Sequence, residues 1–110
     1  MGLTEDSRAR LEASGEPGGL VVTLAGELDL ASLPAVTAPL DELLGREPQP
    51  VVLDMGGLNF LDSSGVAVLV RIANHFGQVR TRATTTPVRR VIEVLGLAER
   101  LGLGEDVGKA

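Results

Sequence analysis

Apolar and polar positions along this chain alternate first with the period of a strand, then with that of a helix. From Arg8 to Ala13 charged and apolar residues take turns, Arg8-Ala9-Arg10-Leu11-Glu12-Ala13, which predicts an edge strand with one covered face. Ser14-Gly15-Glu16-Pro17-Gly18-Gly19 is a turn by composition. Leu20 to Ala25 is short, apolar and rich in β-branched residues, so the two segments are expected to form a hairpin. Gly26-Glu27-Leu28-Asp29 is expected to break that strand. Leu33, Val36, Leu40, Leu43 and Leu44 then recur at helical spacing, with Ser32 placed as N-cap, Pro34 in the first turn and Gly45 at the C-terminal end. Pro39 lies inside this helix and is expected to kink or shorten it.

The second half repeats the alternation. Val51-Val52-Leu53-Asp54-Met55 is apolar on both faces until Asp54, as a central strand covered on both sides should be. Gly56 to Leu61 is expected to be the connecting loop. A helix is predicted after Ser63, running to about Phe76 and ended by Gly77, and Val79 to Thr84 is a fourth strand. Pro87 opens a last helix, Val88 to Leu95, closed by Gly96. The Gly-rich remainder from Gly102 onward is expected to fray. The order β-β-α-β-α-β-α predicts an α/β fold with a mostly parallel sheet under helical cover.

At 110 residues the chain suits one domain, spanning 1–110 with residues 1–6 and 104–110 expected to be disordered. Apolar residues make up 44 %, enough for a core, but Phe60 and Phe76 are the only aromatics. The core must come from Val, Leu, Ile and Ala, and stacking platforms for nucleic-acid bases are missing. With a net charge of −5 and no basic stripe beyond Arg80/Arg82 and Arg89/Arg90, direct nucleic-acid binding is not expected. The absence of Cys and the single His75 argue against disulfides and most zinc chemistry, and no cofactor is expected. No apolar run approaches the ~20 residues of a membrane-spanning helix, and the acidic N-terminus is unlike a signal peptide. No membrane insertion and a cytoplasmic location are therefore expected.

The chemistry concentrates in Asp62-Ser63-Ser64-Gly65. Two hydroxyls sit where a helix begins, beside unpaired backbone N–H groups and the positive end of a helix dipole. Such a position is a natural seat for a phosphate. On a helical wheel Arg71, Asn74 and His75 share one arc, Ala67 falls inside it and Val68 borders it. Ala67 and Val68 are thus expected to be solvent-exposed near the serines, either as ordinary surface or as a small docking patch.

Leu58-Asn59-Phe60-Leu61-Asp62-Ser63-Ser64-Gly65-Val66 resembles the signature of the anti-sigma factor antagonist family, built on the sulfate-transporter/antagonist (STAS) domain. Gly26-Glu27-Leu28-Asp29, Pro87-Val88-Arg89-Arg90-Val91 and Leu95-Gly96-Leu97 resemble further boxes of that family, in order, from about residue 8 to 101. The resemblance implies a four-stranded mixed sheet. It also implies a partner switch rather than an enzyme. An anti-sigma factor that is itself a serine kinase would phosphorylate the serine after the aspartate, Ser63 here, with Ser64 the alternative acceptor but more suited to a capping or contact role. Unphosphorylated antagonist would bind the anti-sigma factor and free the sigma factor, and a PP2C-type phosphatase would reset the modified form. The partner surface so implied comprises Asp29, Asp62, Ser63, Ser64, Gly65, Ala67 and Val68.

Other readings of the same residues are weaker. An esterase would need His75 as base for Ser63, but the two lie about 18 Å apart on one helix, and Gly-x-Ser-x-Gly is missing. A degenerate receiver domain would use Asp54 as phosphoacceptor, with Glu27 and Asp29 as its acidic pair. Its required lysine is missing, because Lys109, the only lysine, lies in the tail. A STAS scaffold, or an accessory subunit of a transport or stress-sensing complex, would keep the fold without phosphorylation. The fourth strand is unusually polar for the family, and its Arg80 and Arg82 either deter edge pairing or meet an acidic partner. Asp29 serves equally as a cap of the next helix.

Overall fold

A computed structural model describes residues 8–104. Of the segments expected to be disordered, 1–6 and 104–110, all but Gly104 lie outside the described residues, as does Lys109. The elements are β1 (Arg10–Glu16), β2 (Gly19–Leu28), a single 3-10 turn (Leu30–Ser32), α1 (Leu33–Leu44), β3 (Val51–Leu61), α2 (Ser63–Phe76), β4 (Val79–Thr84) and α3 (Thr86–Val94). The four strands form one mixed sheet in the order β1-β2-β3-β4, with β1 antiparallel to β2 and the other pairs parallel. The α/β class, the mixed sheet and all three helices agree with the sequence expectations. Pro39 sits inside α1, yet the helix keeps its full expected length.

Strand ends differ. The six-residue turn shrinks to Pro17-Gly18, because β1 and β2 pair out to Glu16 and Gly19. Gly26-Glu27-Leu28 continues β2 instead of breaking it, in register with β3 up to Leu28 opposite Leu61. Gly26 adopts φ 91° and lets the chain approach the Arg8 carbonyl too closely for a Cβ. The expected loop from Gly56 to Leu61 is the second half of β3. Extra residues opposite β2 shift the register there twice, so β3 carries bulges and its polar and glycine positions do not alternate.

Two consecutive parallel crossovers run the same way across the sheet, and right-handedness puts α1 and α2 on one face. The core confirms this. Leu20, Val22 and Leu24 of β2 and Val51, Leu53 and Met55 of β3 are buried, while Val21, Val52 and Asp54 on the other face are only half-buried. The expectation that β3 is covered on both sides is therefore corrected: the sheet has one helical layer. Buried Val88 and Ile92 anchor α3 on that same layer.

The expected fraying is corrected for Gly102 to Gly104, the part of that segment within the described residues. Leu101 is fully buried. The Thr81 N–H donates to the Gly102 carbonyl at 3.0 Å, the Thr81 hydroxyl donates to the Leu101 carbonyl at 2.8 Å, and Leu103 bridges to Thr81. The tail thereby covers the free edge of β4. Gly104 accepts from Arg89 Nη2 at 3.2 Å.

Candidate functional site

Parallel pairing brings the C-terminal ends of β2 and β3 side by side, since Leu28 lies opposite Leu61. Each strand hands its next residue, Asp29 and Asp62, to a loop at the same end of the sheet, the usual place for function in α/β folds. Thr85 follows β4 at that end, and its hydroxyl donates to the Leu58 carbonyl at 2.7 Å. The start of α3 is thus tied to β3.

Asp62 is the N-cap of α2, with extended backbone. Its Oδ1 accepts from the N–H groups of Ser64 at 2.8 Å and Gly65 at 3.1 Å, and its Oδ2 accepts from Leu30 N–H at 3.2 Å. One carboxylate therefore caps a helix and staples the β2–α1 loop to it. This corrects two expectations. Ser64 is not the cap, and the N–H groups of Ser64 and Gly65 are already taken. Asp29 caps the 3-10 turn: its Oδ1 accepts from Ser32 N–H and its own N–H donates to Ser32 Oγ, both at 3.0 Å. The Ser32 hydroxyl is engaged there and donates to the Glu27 carbonyl at 2.6 Å. It makes no side-chain cap of α1.

Ser63 is the first residue of α2 and is exposed. Among the described residues its hydroxyl has no hydrogen-bond partner, and Ser64 is half-buried. Ala67 is exposed as expected, but Val68 is only 5 % exposed. Val68 shares the i, i+4 row of Ile72 and Phe76, and α1 packs alongside α2, so the buried arc is wider than one seam against the sheet. Gly65 is buried too. A Cβ there would strike the Leu28 carbonyl and come within 2.7 Å of Leu61 Cδ1. Gly65 and Val68 position α2 and offer no surface to a partner. The structure thus gathers Asp29, Asp62, Ser63, Ser64 and Ala67.

Residues that the sequence pattern did not single out complete the site. A groove of about 610 Å³ runs between the start of α2 and α3, lined by Asp62, Ser63, Val66, Arg90, Val91, Val94 and Leu95 among others. Among the described residues the exposed large apolar side chains are Leu30, Phe60, Val94 and Leu95, and Val94 and Leu95 line this groove together with Asp62 and Ser63. Leu30 is bonded to Asp62, Phe60 precedes it by two positions, and the other two wall the groove. Surface apolar area gathered at one place marks an interaction site. The signal available was a second apolar stripe on α3, Val91-Val94-Leu95, beside the buried Val88 and Ile92.

The rival chemistries do not assemble. His75 lies at the far end of α2, its Nε2 2.7 Å from the Arg46 carbonyl oxygen. Asp54 sits in mid-strand, not at a strand end. Its carboxylate accepts from Arg82 Nη2 at 2.8 Å and from Gly56 N–H at 3.1 Å. The Arg82 hydrogen bond first, and then that of Gly56, hold its pKa below the ordinary value. Arg82 is thus an intramolecular partner.

A family model described as "Mlab, STAS domain" matches residues 9–105. The chain is 31 % identical over 93 residues to the anti-sigma F factor antagonist of Paenibacillus polymyxa, covering 80 % of each chain. It is also 31 % identical over 85 residues to the anti-sigma-F factor antagonist RsfB of Mycobacterium tuberculosis, covering 73 % of this chain and 68 % of that one. The crystal structure of an anti-sigma factor antagonist from Mycobacterium paratuberculosis superposes with a TM-score of 0.77 at 23 % identity, over 94 % of this chain and 91 % of that one. Unphosphorylated SpoIIAA, an anti-sigma factor antagonist, gives 0.60 at 23 % identity over 83 % of both chains; these two likenesses bear on the fold alone. Family match and curated relatives agree with the family resemblance read from the sequence, and the chain belongs to the STAS-domain family of anti-sigma factor antagonists.

Proposed function

We propose that this chain is a cytoplasmic anti-sigma factor antagonist, switched by phosphorylation at Ser63. One observation carries this most directly. Ser63 presents an unbonded hydroxyl at a rigidly capped helix start, amid the exposed apolar side chains of the surface. In the unmodified state that surface docks on an anti-sigma factor, and the sigma factor is released. The anti-sigma factor acts as a serine kinase: Ser63 Oγ attacks the γ-phosphorus of ATP, the hydroxyl proton passes to the kinase, and ADP leaves. A PP2C-type phosphatase hydrolyses the phosphoester with water and returns the free hydroxyl and inorganic phosphate.

The effect of the phosphate follows from its surroundings. It adds a charge of about −1.5 to −2, to be desolvated against the partner beside the Asp62 carboxylate. Shifting a complex from almost all bound to almost all free takes about 5.5 kcal/mol, and a dianion pressed into an interface of ~800 Å² per partner supplies a penalty of that size. The domain itself keeps its cap and core. The test is incubation with the cognate anti-sigma factor and ATP, with phosphosites mapped by mass spectrometry. One phosphate at Ser63, lost in Ser63→Ala, is expected, and Ser63→Asp should lose affinity for the anti-sigma factor while its melting temperature holds. Absence of modification at both Ser63 and Ser64 would leave a non-switching scaffold.

A further inference from the structure

Ser63 and Arg90 line one groove from opposite sides, the first from the start of α2 and the second from α3. We propose that Arg90 is the intramolecular partner of the phosphate carried on Ser63, its guanidinium closing over the phosphate oxygens across the groove. This rests on the phosphorylation of Ser63 proposed above and adds the residue that receives the new charge.

The need for such a partner comes from the cap. A phosphate at a helix start ordinarily draws on free backbone N–H groups. Here those of Ser64 and Gly65 are held by Asp62 Oδ1, and the carboxylate itself stands next to the new dianion. Beyond the N–H of Ser63 itself, compensation has to come from a side chain. Arg90 is the one cation in the groove lining. It is exposed, and among the described residues it has no hydrogen-bond or ion-pair partner. Its neighbour Arg89 is already committed, with Nη1 to Glu93 Oε2 at 3.1 Å and Nη2 to the Gly104 carbonyl at 3.2 Å. Elsewhere, Arg82 is committed to Asp54. The guanidinium fork matches phosphate oxygens in pairs. The apolar walls, Val66, Val91, Val94 and Leu95, weaken solvent screening of such a pair.

The contact would exist only in the modified, partner-free domain. It stabilises the released state and draws charge over the mouth of the apolar groove, so both effects act in the same direction on the switch.

The experiment uses the full chain with phosphoserine installed genetically at position 63, which needs no kinase. Phosphorus-31 NMR then follows the second ionisation of the phosphate against pH. A cation in contact favours the dianion, so Arg90→Gln should raise the titration midpoint by about 0.5 unit or more. Arg90→Lys should fall between, and ~0.5 M salt should narrow the difference. Equal midpoints in the unsubstituted and Arg90→Gln chains overturn the proposal. Should Arg90→Gln fail to fold, the side-chain nitrogen resonances of Arg90 with and without the phosphate decide instead, and an unmoved Arg90 overturns it. Failure of any kinase to modify Ser63 would count against the proposed function, whereas this titration reads the Arg90 contact on its own.

Discussion

Asp62 holds the backbone N–H of Leu30 at 3.2 Å across 32 positions of sequence, while its other oxygen caps α2. A single side chain thus couples the two loops that present Asp29 and Ser63. Asp62→Ala removes the cap and the staple together. It should destabilise the domain by about 1–2 kcal/mol, measured by urea denaturation. Asp62→Asn keeps acceptor geometry and should cost less. Amide hydrogen exchange should rise at Leu30, Ser64 and Gly65 in Asp62→Ala. Unchanged protection at Leu30 would show that the staple contributes nothing.

Gly65 is the second point of rigidity. In an exposed helix, Gly→Ala gains about 1 kcal/mol. Here the added methyl meets the Leu28 carbonyl and Leu61 Cδ1 at 2.7 Å, and the first of these is backbone that cannot turn away. Gly65→Ala should therefore reverse sign and destabilise by about 1–3 kcal/mol. Thermal unfolding checks the direction, and a raised melting temperature would show that α2 can lift from β2 without cost.

The helices were legible in the chain because their signals are local. Leu33 to Leu44 and the stretch after Ser63 to Phe76 keep helical spacing between a polar start and a glycine, and the structure places both helices there, while the third begins at Thr86 and ends at Val94, short of the expected Leu95. What was not legible depends on distant partners. Gly56-Gly57 read as a loop, since only pairing with Ala25 and Gly26 across two register shifts makes that stretch a strand. Val68 read as exposed, since α1 against α2 is a tertiary fact. At the site, Asp62-Ser63-Ser64-Gly65 was found by composition, whereas Leu30, Val94 and Leu95 are brought beside it by the fold. The bond from Asp62 to Leu30 has no local signature at all.

The pair of Asp54 and Arg82 predicts a pH dependence. The Arg82 hydrogen bond and then the Gly56 N–H lower the Asp54 pKa in the folded state. The folded chain then binds fewer protons than the unfolded one over the window between the two values. The stabilisation is fully present above the unfolded value, about 3.9, and is lost as pH falls through the lower folded value. Both side chains are partly solvated, 55 % exposed for Arg82 and 28 % for Asp54, so the gain at neutral pH stays below about 1 kcal/mol. Urea midpoints of wild type and Asp54→Asn should differ at pH 6 and converge in acid. A gap independent of pH would assign the loss to packing.

The C-terminal segment carries more of the stability than its glycines suggest. Leu101 is fully buried, and Gly102 has φ 66° at a point where a Cβ would strike the backbone of Val79 and Arg80. The left-handed conformation and the tight approach both require glycine at that point. Leu101→Ala leaves a cavity and should cost about 2–4 kcal/mol. Gly102→Ala should also destabilise, by forcing the segment off the edge of β4 and breaking the bond from Thr81 N–H to the Gly102 carbonyl. That edge would then present unpaired groups to other chains, so Gly102→Ala should also associate more at high concentration, read by light scattering. A Leu101→Ala chain as stable as wild type in urea would mean that the tail is not part of the folded unit.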